Sequence, residues 1–133
     1  MGRREQREQL FKLLFRVEFN SLEEMPEQVK LFFQDDEIEY TEKAANAIRD
    51  KYAKIQEKLA QIDALLDEKA EGWNTARMGK VELAVLRIAV YEILFDEDIP
   101  ATVSINEAVE IAKKYGQETS GGFVNAVLAK FVN

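Results

Sequence analysis

Three arginines open the chain at Arg3, Arg4 and Arg7, and one aromatic ring, Phe123, follows a Gly121-Gly122 pair near its end. On a helix the three arginines fall within about 100° of one another. Their guanidinium groups are planar and always charged, which suits phosphate contact and stacking on bases. The distal segment, IPATVSINEAVEIAKKYGQETSGGFVNAVLAKFV, reads as two helices joined by a short polar turn. Ser104 and Glu107, three apart, look like a capping box for the first of them. Ile105, Ala108, Val109, Ile111 and Ala112 give that helix an apolar side, and Gly116 stops it. The second helix starts at Thr119 or Ser120, with Val124, Val127, Leu128 and Phe131 as its stripe. Phe123 lies roughly 90° from the centre of that stripe. A ring off the buried face, beside amides left open by two glycines, can stack on a base. Gln117, Thr119, Ser120 and Gly121 form the turn, and free amides at a helix start can hold a phosphate. Blander readings stand beside these: a solvated N-terminus, a ring partly built into the core, and glycines that serve only a tight loop.

Composition removes most other chemistry. The chain has 133 residues, near the usual size of one domain, and residues 1–133 read as a single unit. Without cysteine there are no disulfides or thiolate metal sites, and without histidine the commonest general base and metal ligand are missing. No spacing calls for a carboxylate or lysine enzyme, so no catalytic residue, metal or cofactor is expected. The start is charged rather than apolar, and no apolar run reaches about 18 residues. A cytoplasmic protein without a membrane span is the expectation. Net charge is −7, but its distribution is uneven. Residues 1–16 hold five basic and two acidic side chains, whereas residues 18–42 hold nine acids against Lys30 alone. Polyanion binding belongs at the basic tip; the acidic block suits a basic protein or plain solvation.

The elements that must position these groups are helical throughout. A first helix is expected over 3–19, with Leu10, Leu13, Leu14 and Val17 as its stripe, widened by Phe11 and Phe15. A short one over 26–33 begins at Pro26, and 35–39 is an acidic connection. Thr41 can cap a third, in which Ile48, Tyr52, Ile55, Leu59, Ile62 and Leu66 form a narrow seam. One helix over 41–70 would be about 45 Å long, so a break is expected near 60–63, with Asp63 as a cap. Residues 72–79 (GWNTARMG) connect to the most apolar helix, 81–95, in which twelve of fifteen residues are apolar. Such a helix is central, with partners on most sides. Arg87 within it needs an internal ion pair, with Glu107 or Glu92 as candidates. Trp73 reads as a packing anchor for its loop rather than as an RNA platform. The pattern is all-α, about seven helices around one central apolar helix.

Residues 81–92 (VELAVLRIAVYE) and 99–127 (IPATVSINEAVEIAKKYGQETSGGFVNAV) resemble the NusB family of bacterial transcription antitermination factors. Trp73, Arg77 and Met78, and the arginine-rich start leading to Leu13-Leu14-Phe15, fit as well, so the likeness is nearly full length. The resemblance implies two three-helix bundles sharing a central apolar helix. It implies binding, together with the ribosomal protein NusE, to single-stranded boxA RNA, and joining of elongating RNA polymerase, chiefly on ribosomal RNA operons. Arg3, Arg4 and Arg7 match the family's RNA-binding helix, and Phe123 its base-stacking aromatic. Phe15 and Glu82 match positions facing NusE. Thr119 stands where the family often has a carboxylate, which removes a repulsion toward RNA. The N-terminal arm is short and no basic tail follows Asn133, so weak RNA binding alone and dependence on the partner are expected. Self-association, known for some members, is left open. Two rival readings are a protein-interaction module without RNA, and a fragment of a ribosomal RNA methyltransferase, for which no catalytic cysteine or glycine-rich cofactor loop is found.

Overall fold

The computed structural model describes residues 1–35 and 38–132. Among them are seven α-helices, one 3-10 turn and no strand. The chain divides into two compact units, Met1–Gln56 and Glu57–Asn133.

The first unit holds α1 (Arg3–Phe15), a 3-10 turn (Arg16–Glu18), α2 (Met25–Gln34) and α3 (Glu42–Glu57). The first helix is shorter than its apolar pattern predicts. Arg16 ends it: its carbonyl accepts from Phe19 N–H at 3.1 Å and from the Asn20 amide at 2.8 Å. Its guanidinium donates to the Gln28 carbonyl and side chain at 3.3 and 3.2 Å and covers the Phe32 ring. A reciprocal pair leads into α2, with Ser21 N–H donating to Glu24 Oε1 at 2.8 Å and Glu24 N–H to Ser21 Oγ at 3.3 Å. Hydrogen bonds from the Ser21 backbone N–H and then its hydroxyl hold the Glu24 carboxyl below its ordinary pKa. Of the acidic connection 35–39, positions 36 and 37 lie outside the described residues. Thr41 caps α3 as expected, its hydroxyl accepting from Ala44 N–H at 3.0 Å. Ile48, Tyr52 and Ile55 are buried along the seam.

Burial pushes the Tyr52 phenol above its usual pKa, and its hydroxyl has no hydrogen-bond partner among the described residues. A buried, unpaired hydroxyl costs more than it returns. Tyr52→Phe is therefore expected to raise the denaturant midpoint, by up to about 1 kcal/mol of unfolding free energy; a lower midpoint would contradict it.

The second unit holds α4 (Leu59–Lys69), α5 (Lys80–Phe95), α6 (Ala101–Tyr115) and α7 (Ser120–Ala129). The break between α3 and α4 falls at Lys58, not at 60–63. Asp63 is not a cap. Its carboxylate instead takes Arg87 in a two-bond pair, Nε to Oδ1 at 2.9 Å and Nη2 to Oδ2 at 2.8 Å. Arg87 thus has its internal ion pair, with Asp63 as a partner that the sequence did not single out. All ten residues 83–92 of α5 are buried, and α4, α6 and α7 each pack on it. A helix apolar all round needs just that company.

The capping-box reading of Ser104 is corrected. The helix starts a turn earlier, at Ala101, because Pro100 takes the extended N-cap conformation and its carbonyl accepts from Val103 and Ser104 N–H. Ser104 is thus inside the helix, buried, with no partner for its hydroxyl among the described residues.

Candidate nucleic-acid interface

The loop between α6 and α7 is built around Ser120, which is 0% exposed. Its Oγ accepts from Gln117 N–H at 2.9 Å and donates to Glu82 Oε1, at the start of α5, at 2.8 Å. Gly116 is required by this closeness rather than by backbone angle. A Cβ on Gly116 would sit 2.5 Å from Ser120 Oγ and 2.7 Å from the Ala112 carbonyl, and one on Gly79 would overlap the Glu82 carboxylate. Gly116 has φ −98°, so its role as helix stop rests on space. Glu82 is half-buried and turned to Ser120. Ser120→Ala would leave the Gln117 amide and the Glu82 carboxylate short of a partner, at about 1–3 kcal/mol. The denaturant midpoint should fall accordingly; an unchanged midpoint would remove the loop's organising role from Ser120.

The two glycines that open α7 differ. A Cβ on Gly121 would lie 3.0 Å from the Lys113 side chain, so this position is buried against α6. Gly122 is exposed and a Cβ there would meet nothing within 4 Å. Thr119 is the N-cap of α7 and gives no side-chain cap bond. The first-turn amides of a helix lack intrahelical partners, and a bare Gly122 leaves the approach to them open. Gln117 and Thr119 are exposed beside them.

Phe123 lies off the buried stripe of Val124, Val127 and Leu128, as expected, and is half-buried. Its ring meets the indole of Trp73, centroids 5.6 Å apart and planes at 70°. Trp73 is 48% exposed, so the part it plays in packing is confined to one side of the ring. The loop is also held by other means: Gly72 at φ +78°, Thr75 N–H on the Asp67 carboxylate at 2.6 Å, and Asn74 Oδ1 taking Arg77 N–H at 3.1 Å, ahead of buried Met78. The Arg77 guanidinium lies over the Trp73 ring at 5.6 Å. This pairing of Trp73 with Phe123 was missed in the sequence because the two are fifty residues apart, with no shared motif.

In the first unit, Arg3 and Arg4 are exposed and Arg7 half-exposed on the first two turns of α1. Gly2 gives no side-chain cap, and Glu5 is the acid of the first turn. Cations at a helix N-terminus oppose its dipole by about 0.3–1 kcal/mol each. The helix dipole therefore does not favour this cluster. Phe15 is half-buried between the rings of Phe11 and Phe19, at 6.0 and 5.1 Å. Phe19 and Leu22 nearby in sequence are 59% and 65% exposed. No group of three or more acidic side chains suited to a metal, and no helix long and apolar enough to cross a membrane, occurs among the described residues.

An all-helical scaffold that presents exposed aromatic rings, bare helix-start amides and clustered arginines has the features of a small nucleic-acid-binding regulatory protein. The chain belongs to the NusB family, whose sequence profile matches residues 4–133. The transcription antitermination protein NusB of Agathobacter rectalis is 54% identical over 131 residues, 98% of this chain and 99% of that protein. Among solved structures, T. maritima NusB superposes with a TM-score of 0.88 at 40% identity, covering 98% of this chain and 90% of that one. The antitermination factors NusB and NusE in complex with double-stranded RNA give a TM-score of 0.83 at 25% identity, over 98% and 97%. The family is one of binding factors, and the chain is not an enzyme.

Proposed function

We propose that the chain is a transcription antitermination factor that binds single-stranded boxA RNA together with NusE and joins elongating RNA polymerase in the cytoplasm, mainly on ribosomal RNA operons. The observation that carries the reading is the position of Phe123: a half-buried ring off the core stripe of α7, beside the open start of that helix. Its role is to stack on an unpaired base, with Gln117, Thr119, Ser120 and Gly121 shaping the turn; the Gln117 and Ser120 amides are bonded within it, so a phosphate would take those of the glycines that follow. Arg3, Arg4 and Arg7 supply phosphate contacts. A relative solved with NusE and double-stranded RNA, and curated relatives named for antitermination, support NusE and RNA as partners.

Phe15 is assigned to the NusE contact, continuing onto exposed Phe19 and Leu22 among the acids of 18–27, a surface that suits a basic protein better than RNA. Glu82 is assigned to the same partner, although its Oε1 already serves Ser120. We read residues 1–133 as one functional domain. The exposed acidic, apolar surface also favours a second reading, a protein-interaction module without RNA.

Filter binding of a boxA-like RNA, with and without NusE, separates the two. Affinity should rise when NusE is added and fall with salt. Three phosphate contacts to a single strand give a log–log salt slope of about −2. Replacing Arg3, Arg4 and Arg7 together by alanine should flatten it. A slope unchanged by the triple substitution would refute the arginine assignment, and no RNA binding with NusE present would leave only the protein module. Sedimentation of the same samples reads any self-association.

A further inference from the structure

We infer that Trp73 is a second surface for an unpaired RNA base, next to Phe123, and that Arg77 serves the phosphate between the two nucleotides. The inference rests on the RNA-binding reading above and extends its site into the 70–79 loop. The loop has backbone ties that do not involve the indole at position 73. Gly72, Asp67, Asn74 and buried Met78 fix the backbone, while Trp73 stands 48% exposed. A large exposed apolar ring held out by a well-tied loop points to a ligand.

The ligand's chemistry follows from geometry. The Trp73 and Phe123 rings are 5.6 Å apart and nearly perpendicular. Bases stacked on their outer faces are therefore splayed from one another, which a continuous duplex does not permit and a single strand does. The Arg77 guanidinium lies against the Trp73 ring at 5.6 Å, so a cation sits where the backbone joining two such nucleotides would pass. At the C-cap of α7, Lys130 lies seven residues beyond Phe123, on the same side of the helix. Its ammonium is 3.6 Å from the Glu71 carboxylate, itself 89% exposed, a surface pair that a phosphate can replace.

Trp73 is the chain's single tryptophan, so its emission reports on this surface alone. Titration of the chain with NusE and a short unpaired boxA-like RNA should change that emission with the same midpoint as binding. Trp73→Leu keeps apolar bulk but has no π face, and should weaken RNA binding roughly ten-fold. Trp73→Phe should restore most of it, and both should melt near the wild-type temperature. Arg77→Gln should make the salt slope shallower by about 0.7. Wild-type affinity in Trp73→Leu, or an emission unmoved at saturating RNA, would overturn the inference. If Phe123→Ala weakens binding and Trp73→Leu does not, the second surface fails while the RNA reading stands. If the wild-type chain binds no RNA with NusE present, both fail.

Discussion

Asp63→Ala is expected to lower the unfolding free energy by about 3 kcal/mol, the largest stability effect of any single substitution considered for this chain. The Arg87 side chain is 7% exposed and that of Asp63 25%. Removing the carboxylate takes both short bonds from a guanidinium buried in the most apolar helix. The penalty is chiefly that of a buried charge losing a two-bond partner, since the pair itself gains little over well-packed apolar groups. The partial exposure of Asp63 keeps the figure at the lower end of the range for buried pairs. Urea unfolding followed by circular dichroism measures it. The double variant Asp63→Leu, Arg87→Met should recover most of the loss. If the single variant unfolds like the wild type, the pair is not a structural tie between α4 and α5.

Phe123→Ala is expected to weaken RNA binding in the presence of NusE by roughly ten-fold or more, from the loss of one base-stacking surface worth about 1–3 kcal/mol. The fold should survive, because the buried stripe of α7 is carried by Val124, Val127 and Leu128. Affinity for NusE should not change, which separates a ligand effect from general damage. Phe123→Tyr keeps the ring face and should bind nearly as the wild type. The contrary result, alanine binding RNA as tightly as phenylalanine, would make the ring a partner for Trp73 and nothing more.

The comparison of sequence with structure turns on which signals are local. Helix α5 was legible because twelve apolar residues in fifteen leave no polar face, and burial of residues 83–92 agrees. The Thr41 cap and the start of α7 were legible for the same reason, each being a few adjacent residues. The off-stripe position of Phe123 follows from helical spacing alone. The failures are places where a residue outside the motif decides, most of them far along the chain. Ser104 and Glu107 have the spacing of a capping box, but that spacing also recurs inside any helix, and the conformation of Pro100 sets the start. Arg87 visibly needed a partner, yet its choice of Asp63 depends on α4 lying against α5. The early end of α1 depends on Arg16 reaching Gln28 and Phe32. The exposure of Trp73 was missed because a tryptophan in a loop between helices is usually buried, and only the fold shows that Met78 and Asp67 share the anchoring.

The central claim is that unpaired RNA lies on the start of α7, and backbone amide mapping by NMR tests it most directly. Isotope-labelled chain with unlabelled NusE is titrated with single-stranded boxA-like RNA. Shifts should concentrate at Gly121, Gly122 and Phe123, the Trp73 indole N–H, and the first two turns of α1. If RNA binds and those resonances stay still while others move, the ring at position 123 has no part in recognising the transcript.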